Sequence, residues 1–79
     1  MSAKAFILIE TAVGRNREVV EAISGIKEVK TVDAVTGPFD VIAVIEAETL
    51  NDVGDIVISS IHPIKGISRT VTCLAMKKT

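Results

Sequence analysis

Hydrophobic positions follow two rhythms along this chain, and the rhythm changes at glycines and prolines. Phe6-Ile7-Leu8-Ile9 and Val41-Ile42-Ala43-Val44-Ile45 are apolar at successive positions, the pattern of strands covered on both faces. Between Arg15 and Ser24 the apolar residues are Val19, Val20 and Ile23, continued by Ile26, which is helical spacing. Glu18 and Glu21 fall in the early turns, where the helix dipole favours acids, and Gly25 is the expected C′ residue. Val29–Thr36 is rich in β-branched residues and stops at Gly37-Pro38; Asp40–Glu46 then resumes, predicting a hairpin. Thr49 and Asp52 have the spacing of a short-acid capping box. They precede a stripe of Leu50, Val53, Ile56, Val57 and Ile61, which Pro63 ends. With Ala3–Ala12 as the first strand and Ile67–Met76 as the last, the order is β-α-β-β-α-β.

That order predicts an α+β, ferredoxin-like sandwich. Right-handed crossovers give a four-stranded antiparallel sheet of order 4-1-3-2 with both helices on one face. The expectation can be checked against composition strand by strand. The two central strands are the continuously apolar ones, whereas the second and fourth carry more Thr, Lys, Asp and Arg. Helices cover only one face of such a sheet. The other is expected to pack on a second copy of the chain about a two-fold axis.

Composition narrows the function. Seventy-nine residues make one domain, 1–79, yet 48% are hydrophobic and Val plus Ile supply 22 positions, more than one small core needs. A net charge of −1 leaves no electrostatic footprint for nucleic acid or an acidic membrane. The apolar run near the N-terminus is too short for a signal sequence or a membrane span, and the single cysteine fits a reducing, cytoplasmic setting. His62 and Cys73 are the only residues of their kinds, so the chain offers no metal-ligand cluster, and its glycines have neither dinucleotide nor P-loop spacing. No catalytic residue, metal or cofactor is expected.

The one segment with polar specificity is Thr36-Gly37-Pro38-Phe39-Asp40. A carboxylate beside a turn rich in N–H groups is what a zwitterionic amino acid requires, and Thr70 and Thr72, on one face of the last strand, would add hydroxyls. Ordinary turn chemistry at Asp40 and ordinary edge-strand threonines account for the same residues without any ligand.

This segment resembles the Gly-x-aromatic-Asp turn of the effector-binding (RAM) domain of the Lrp/AsnC regulators. Ile64-Lys65-Gly66-Ile67, followed by Thr70-Val71-Thr72, resembles that family's Gly-Val and Thr-x-Thr strand, and Ala5–Ile9 matches its opening. The resemblance implies the same fold, dimers formed through the sheets, further assembly into rings of four dimers (an octamer), and an amino acid held between dimers. The implied ligand contacts are Gly37, Phe39, Asp40, Thr70, Thr72 and Leu74. Asp40 would take the ammonium group and the turn the carboxylate, with Leu74 and Phe39 shaping the side-chain pocket. Family members begin with a helix-turn-helix domain, so the resemblance implies a stand-alone effector module that acts alone or joins full-length relatives, without direct DNA contact. Pro38 removes one N–H that a ligand carboxylate would use. Three alternatives stand beside this reading: an ACT-like module binding ligand near Val13-Gly14-Arg15-Asn16, a small dimeric α+β barrel enzyme, and a structural module with no ligand.

Overall fold

The two apolar runs become the centre of a sheet because each buries one face completely. In the computed structural model, which describes residues 2–76, β1 (Ala3–Thr11) is flanked by β3 (Val41–Ala47) and β4 (Ile67–Leu74). The remaining strand β2 (Val29–Ala34) pairs only with β3, so the order is β2-β3-β1-β4, all antiparallel. This is the expected ferredoxin-like arrangement. Helix α1 (Asn16–Ser24) packs on β2 and β3, and α2 (Leu50–Ile56) packs on β3 and β1. Under the helices, Ala5, Ile7, Ile9, Val41, Ala43 and Ile45 are sealed from water together with Val19, Ile23, Val53, Val57 and Ile61.

The opposite face carries the alternate residues. Phe6 stands between Val44 and Cys73 in register, and Leu8 between Ile42 and Val71. Neither side chain belongs to the core: Phe6 is 38% exposed, and Leu8, Ile42, Val44 and Val71 are half-buried. Charged residues bound this apolar centre at both ends. Lys4 lies opposite Glu46, with its ammonium 5.3 Å from the Phe6 ring centre, and Arg69 bonds Glu10 at 3.1 Å.

Several local expectations need correction. Gly25 does end α1, but at φ −83, donating its N–H back to Ala22 at 3.3 Å rather than taking a left-handed turn. Strand β2 stops at Ala34, two residues short of Thr36, where Val35 N–H bonds Asp40 O at 2.9 Å to close the hairpin. The second helix begins as expected, with Thr49 Oγ1 accepting from Asp52 N–H at 3.1 Å. It then widens into a π-helical turn over Val57–Ile61, and Leu50, expected on its buried stripe, is 59% exposed. Cys73, opposite Phe6 on the back of the sheet, is exposed. Among the described residues no helix is long and apolar enough to cross a membrane.

Gly66 ties the start of β4 to α1. Its φ is +99, and its carbonyl accepts Ala12 N–H at 2.7 Å. A methyl group there would stand 3.0 Å from Arg15 Cβ and 3.2 Å from Val19 Cγ2. Gly66→Ala therefore combines a left-handed penalty of about 1–2 kcal/mol with a clash against atoms close to the helix backbone. The melting temperature is expected to fall by about 5 °C or more in a calorimetric scan.

Candidate functional site

The candidate residues form two groups, one on each side of β1. The first is the β2–β3 turn. Gly37 has φ +148, in the region that favours glycine, and the turn returns the chain to β3 through half-buried Phe39 and Asp40. Asp40 is fixed at both its backbone and its side chain. Its N–H donates to Ile9 O at 2.9 Å, and its Oδ2 accepts Thr11 N–H at 2.9 Å. The irregularity between Glu10 and Thr11 frees that amide from the β1–β4 ladder, so the carboxylate sits over the end of β1. The structure thus adds a partner, Thr11, that sequence reasoning missed because it is a backbone amide 29 positions away.

The second group is the helix-facing side of β4. Thr70, Thr72 and Leu74 pair with Ile9, Ile7 and Ala5, all core residues, and so share their face of the sheet. Because α2 covers β1 and stops short of the edge strand, these side chains form a shelf. Thr72 and the 46%-exposed Leu74 line an open groove of about 380 Å³ with Leu50, Val53, Gly54, Val57 and Ile58 of the helix wall. Gly54 contributes no side chain to that wall, and a Cβ there would meet open space. Thr70 stands above the groove and is engaged by His62, whose Nε2 lies 3.1 Å from Thr70 Oγ1.

Within one protomer the two groups do not converge. With neighbouring strands about 4.8 Å apart, β3 and β4 lie roughly 10 Å from each other across β1. No residue of the Gly37–Asp40 turn lines the groove beside Leu74. What the groups share is an end of the sheet: the turn, the β1–α1 loop and the segment before β4 all meet where β1 finishes, joined by the Asp40–Thr11 and Ala12–Gly66 bonds. Where that loop enters α1, Asn16 Oδ1 accepts Arg17 N–H at 3.0 Å, and the exposed Arg15 guanidinium bonds Glu18 at 2.8 Å. That hydrogen bond, with the added charge attraction, raises the Arg15 pKa above its ordinary value. Both side chains thus make a local hydrogen bond.

The same fold occurs in known proteins. The family description of the Lrp/AsnC ligand-binding domain matches residues 4–79. This chain belongs to that family. An uncharacterised helix-turn-helix-type transcriptional regulator of Pyrococcus furiosus is 37% identical over 59 residues. The match spans 75% of this Lrp/AsnC chain but only 39% of that regulator. A Thermus thermophilus protein of known structure superposes with a TM-score of 0.91 at 32% identity, over 98% of this chain and 96% of its own. A transcriptional regulator of Neisseria meningitidis, solved as a complex with L-methionine, superposes with a TM-score of 0.85 over 96% of this chain and 51% of the regulator. At 19% identity that last likeness concerns the fold alone. The Lrp/AsnC domain described here is therefore related to transcriptional regulators and has the ligand-binding unit of that family.

Proposed function

We propose that this Lrp/AsnC domain senses a free amino acid held between two dimers, with Asp40 taking the ammonium group and the β4 threonines of an adjoining dimer taking the carboxylate. The observation that carries this reading is the separation of the two polar groups across β1. The ammonium and carboxylate of an α-amino acid share one carbon atom, so a single protomer cannot present Asp40 and Thr72 to the same ligand head. Two protomers from different dimers can. The apolar sheet face supports the first level of assembly, since it offers a second copy Phe6, Leu8, Ile42, Val44 and Val71 inside a charged rim. Packing there leaves Thr70, Thr72 and Leu74 uncovered, because they stand on the other side of the sheet.

Held this way, the amino acid favours the assembly of dimers, up to the octamer of four, over separate dimers. It regulates only to the extent that its affinity differs between those states. Full-length Lrp/AsnC regulators are the natural partners for mixed assemblies. The L-methionine found with the Neisseria regulator supports an amino acid as the ligand class and makes methionine a sensible first probe.

The test is thermal unfolding of the wild-type chain and Asp40→Asn in the presence of each of the twenty amino acids. Asparagine keeps an oxygen for Thr11 N–H while removing the charge. A ligand at a hundred times its Kd stabilises by about 2.7 kcal/mol, or roughly 10–20 °C in a domain of this size. Loss of a charge-assisted bond worth about 1.5–3 kcal/mol weakens binding roughly tenfold or more in Asp40→Asn. Equal shifts in the two proteins would remove Asp40 from the site.

A further inference from the structure

The π-helical turn has a chemical consequence at its C-terminal end. His62 N–H donates to Val57 O at 2.8 Å, five residues back, so the helix is one residue wider per turn where it ends. That end delivers the imidazole to β4, where Nε2 meets Thr70 Oγ1 at 3.1 Å. A threonine hydroxyl has one proton and two lone pairs, and alone it turns to suit any partner. An N–H donor on its oxygen removes that freedom. The oxygen is then committed as an acceptor and the proton must point elsewhere, while the reverse tautomer would consume the proton and leave only lone pairs, which repel an anion.

We propose that His62 is a positioning residue: its Nε2–H donates to Thr70 Oγ1 and so presents the threonine hydroxyl as a donor to a ligand carboxylate. The proposal rests on the effector reading above and adds to it a residue that no matched motif contains. Its geometry is consistent with that reading on a second count. Thr70 and Asp40 bracket the same residue, Ile9, which pairs with Thr70 on one side and accepts Asp40 N–H on the other. An acceptor-only carboxylate and a hydroxyl with its proton free to donate then mark the two flanks of β1. In an assembly of dimers, those flanks match the two charged ends of an amino acid.

His62 is the only histidine of the chain, so its ring nitrogens can be read without assignment ambiguity. A long-range nitrogen–proton NMR spectrum in alkaline buffer is expected to show protonated Nε2 and bare Nδ1. A protonated Nδ1 overturns the proposal with no ligand required. The second arm measures amino-acid affinity, probing the twenty free amino acids by thermal shift on wild type, His62→Gln and His62→Phe. Glutamine retains an N–H at similar reach, whereas phenylalanine keeps the ring without a donor. With His62 exposed, both variants are expected to melt near the wild-type temperature in the absence of ligand. Binding is expected to weaken about tenfold in His62→Phe and to recover in His62→Gln. Equal affinity in wild type and His62→Phe overturns the positioning role alone, as does equal weakening in both variants. A wild-type protein unmoved by all twenty amino acids overturns the effector reading, and the proposal with it.

Discussion

Leu8→Lys is expected to leave the fold intact and to reduce the particle to a single chain. Leu8 lies at the middle of the uncovered sheet face, between Ile42 and Val71, and contributes nothing to the core under the helices. A lysine there remains solvated in a lone protomer. In a two-fold pair it would be taken out of water opposite apolar residues and near its own symmetry mate. The penalty for an unpaired buried charge is several kcal/mol, so the dimer constant is expected to weaken by at least about a hundredfold. Light scattering behind size exclusion at micromolar concentration is expected to give the wild type an even multiple of its 8.4 kDa chain mass, and Leu8→Lys that mass itself. Unchanged mass in Leu8→Lys would mean that the copies meet elsewhere.

The neighbouring residue should behave in the opposite way. Ile7 is fully buried under α2, and Ile7→Ala removes three carbon atoms from a core that small domains can ill spare. Substitutions of this kind cost about 2–5 kcal/mol, a large share of the roughly 5–15 kcal/mol that holds a typical domain together. The melting temperature is expected to drop by roughly 10 °C or more. The contrast with Leu8→Lys lies in mass action. Under the proposed dimer, Ile7→Ala is expected to keep a melting temperature that rises with protein concentration, and Leu8→Lys is expected to lose that dependence. Two adjacent positions thereby report on two different interfaces.

The architecture was legible because each strand states its surroundings. Unbroken apolar runs marked β1 and β3 as central, mixed strands marked the edges, and Thr49 with Asp52 announced the start of α2 three residues apart. Alternation along β4 placed Thr70, Thr72 and Leu74 on one face, as the β1–β4 register does. Other features had no mark in the sequence. Asp40 is held by the amide of Thr11, which a β-irregularity releases and which no side-chain pattern marks. Gly25 suggested a left-handed stop, yet Ile26 N–H bonds Ile23 O at 3.0 Å and the chain leaves the helix without one. Helical periodicity placed Leu50 with Val53 and Val57, but α2 does not extend over β4, and the first residue of the stripe faces the groove. The π turn before His62 was not legible either, since Val57-Ile58-Ser59-Ser60-Ile61 has no composition that demands it.

Strand β4 is a single ribbon with two customers. Its odd and even positions face different neighbours, Val71 and Cys73 the back of the sheet, Thr70, Thr72 and Leu74 the shelf. Inserting or deleting one residue between Gly66 and Leu74 would exchange the two sets at a stroke, ruining both surfaces together. Such a strand can accept side-chain swaps in place but not a change of length by one residue.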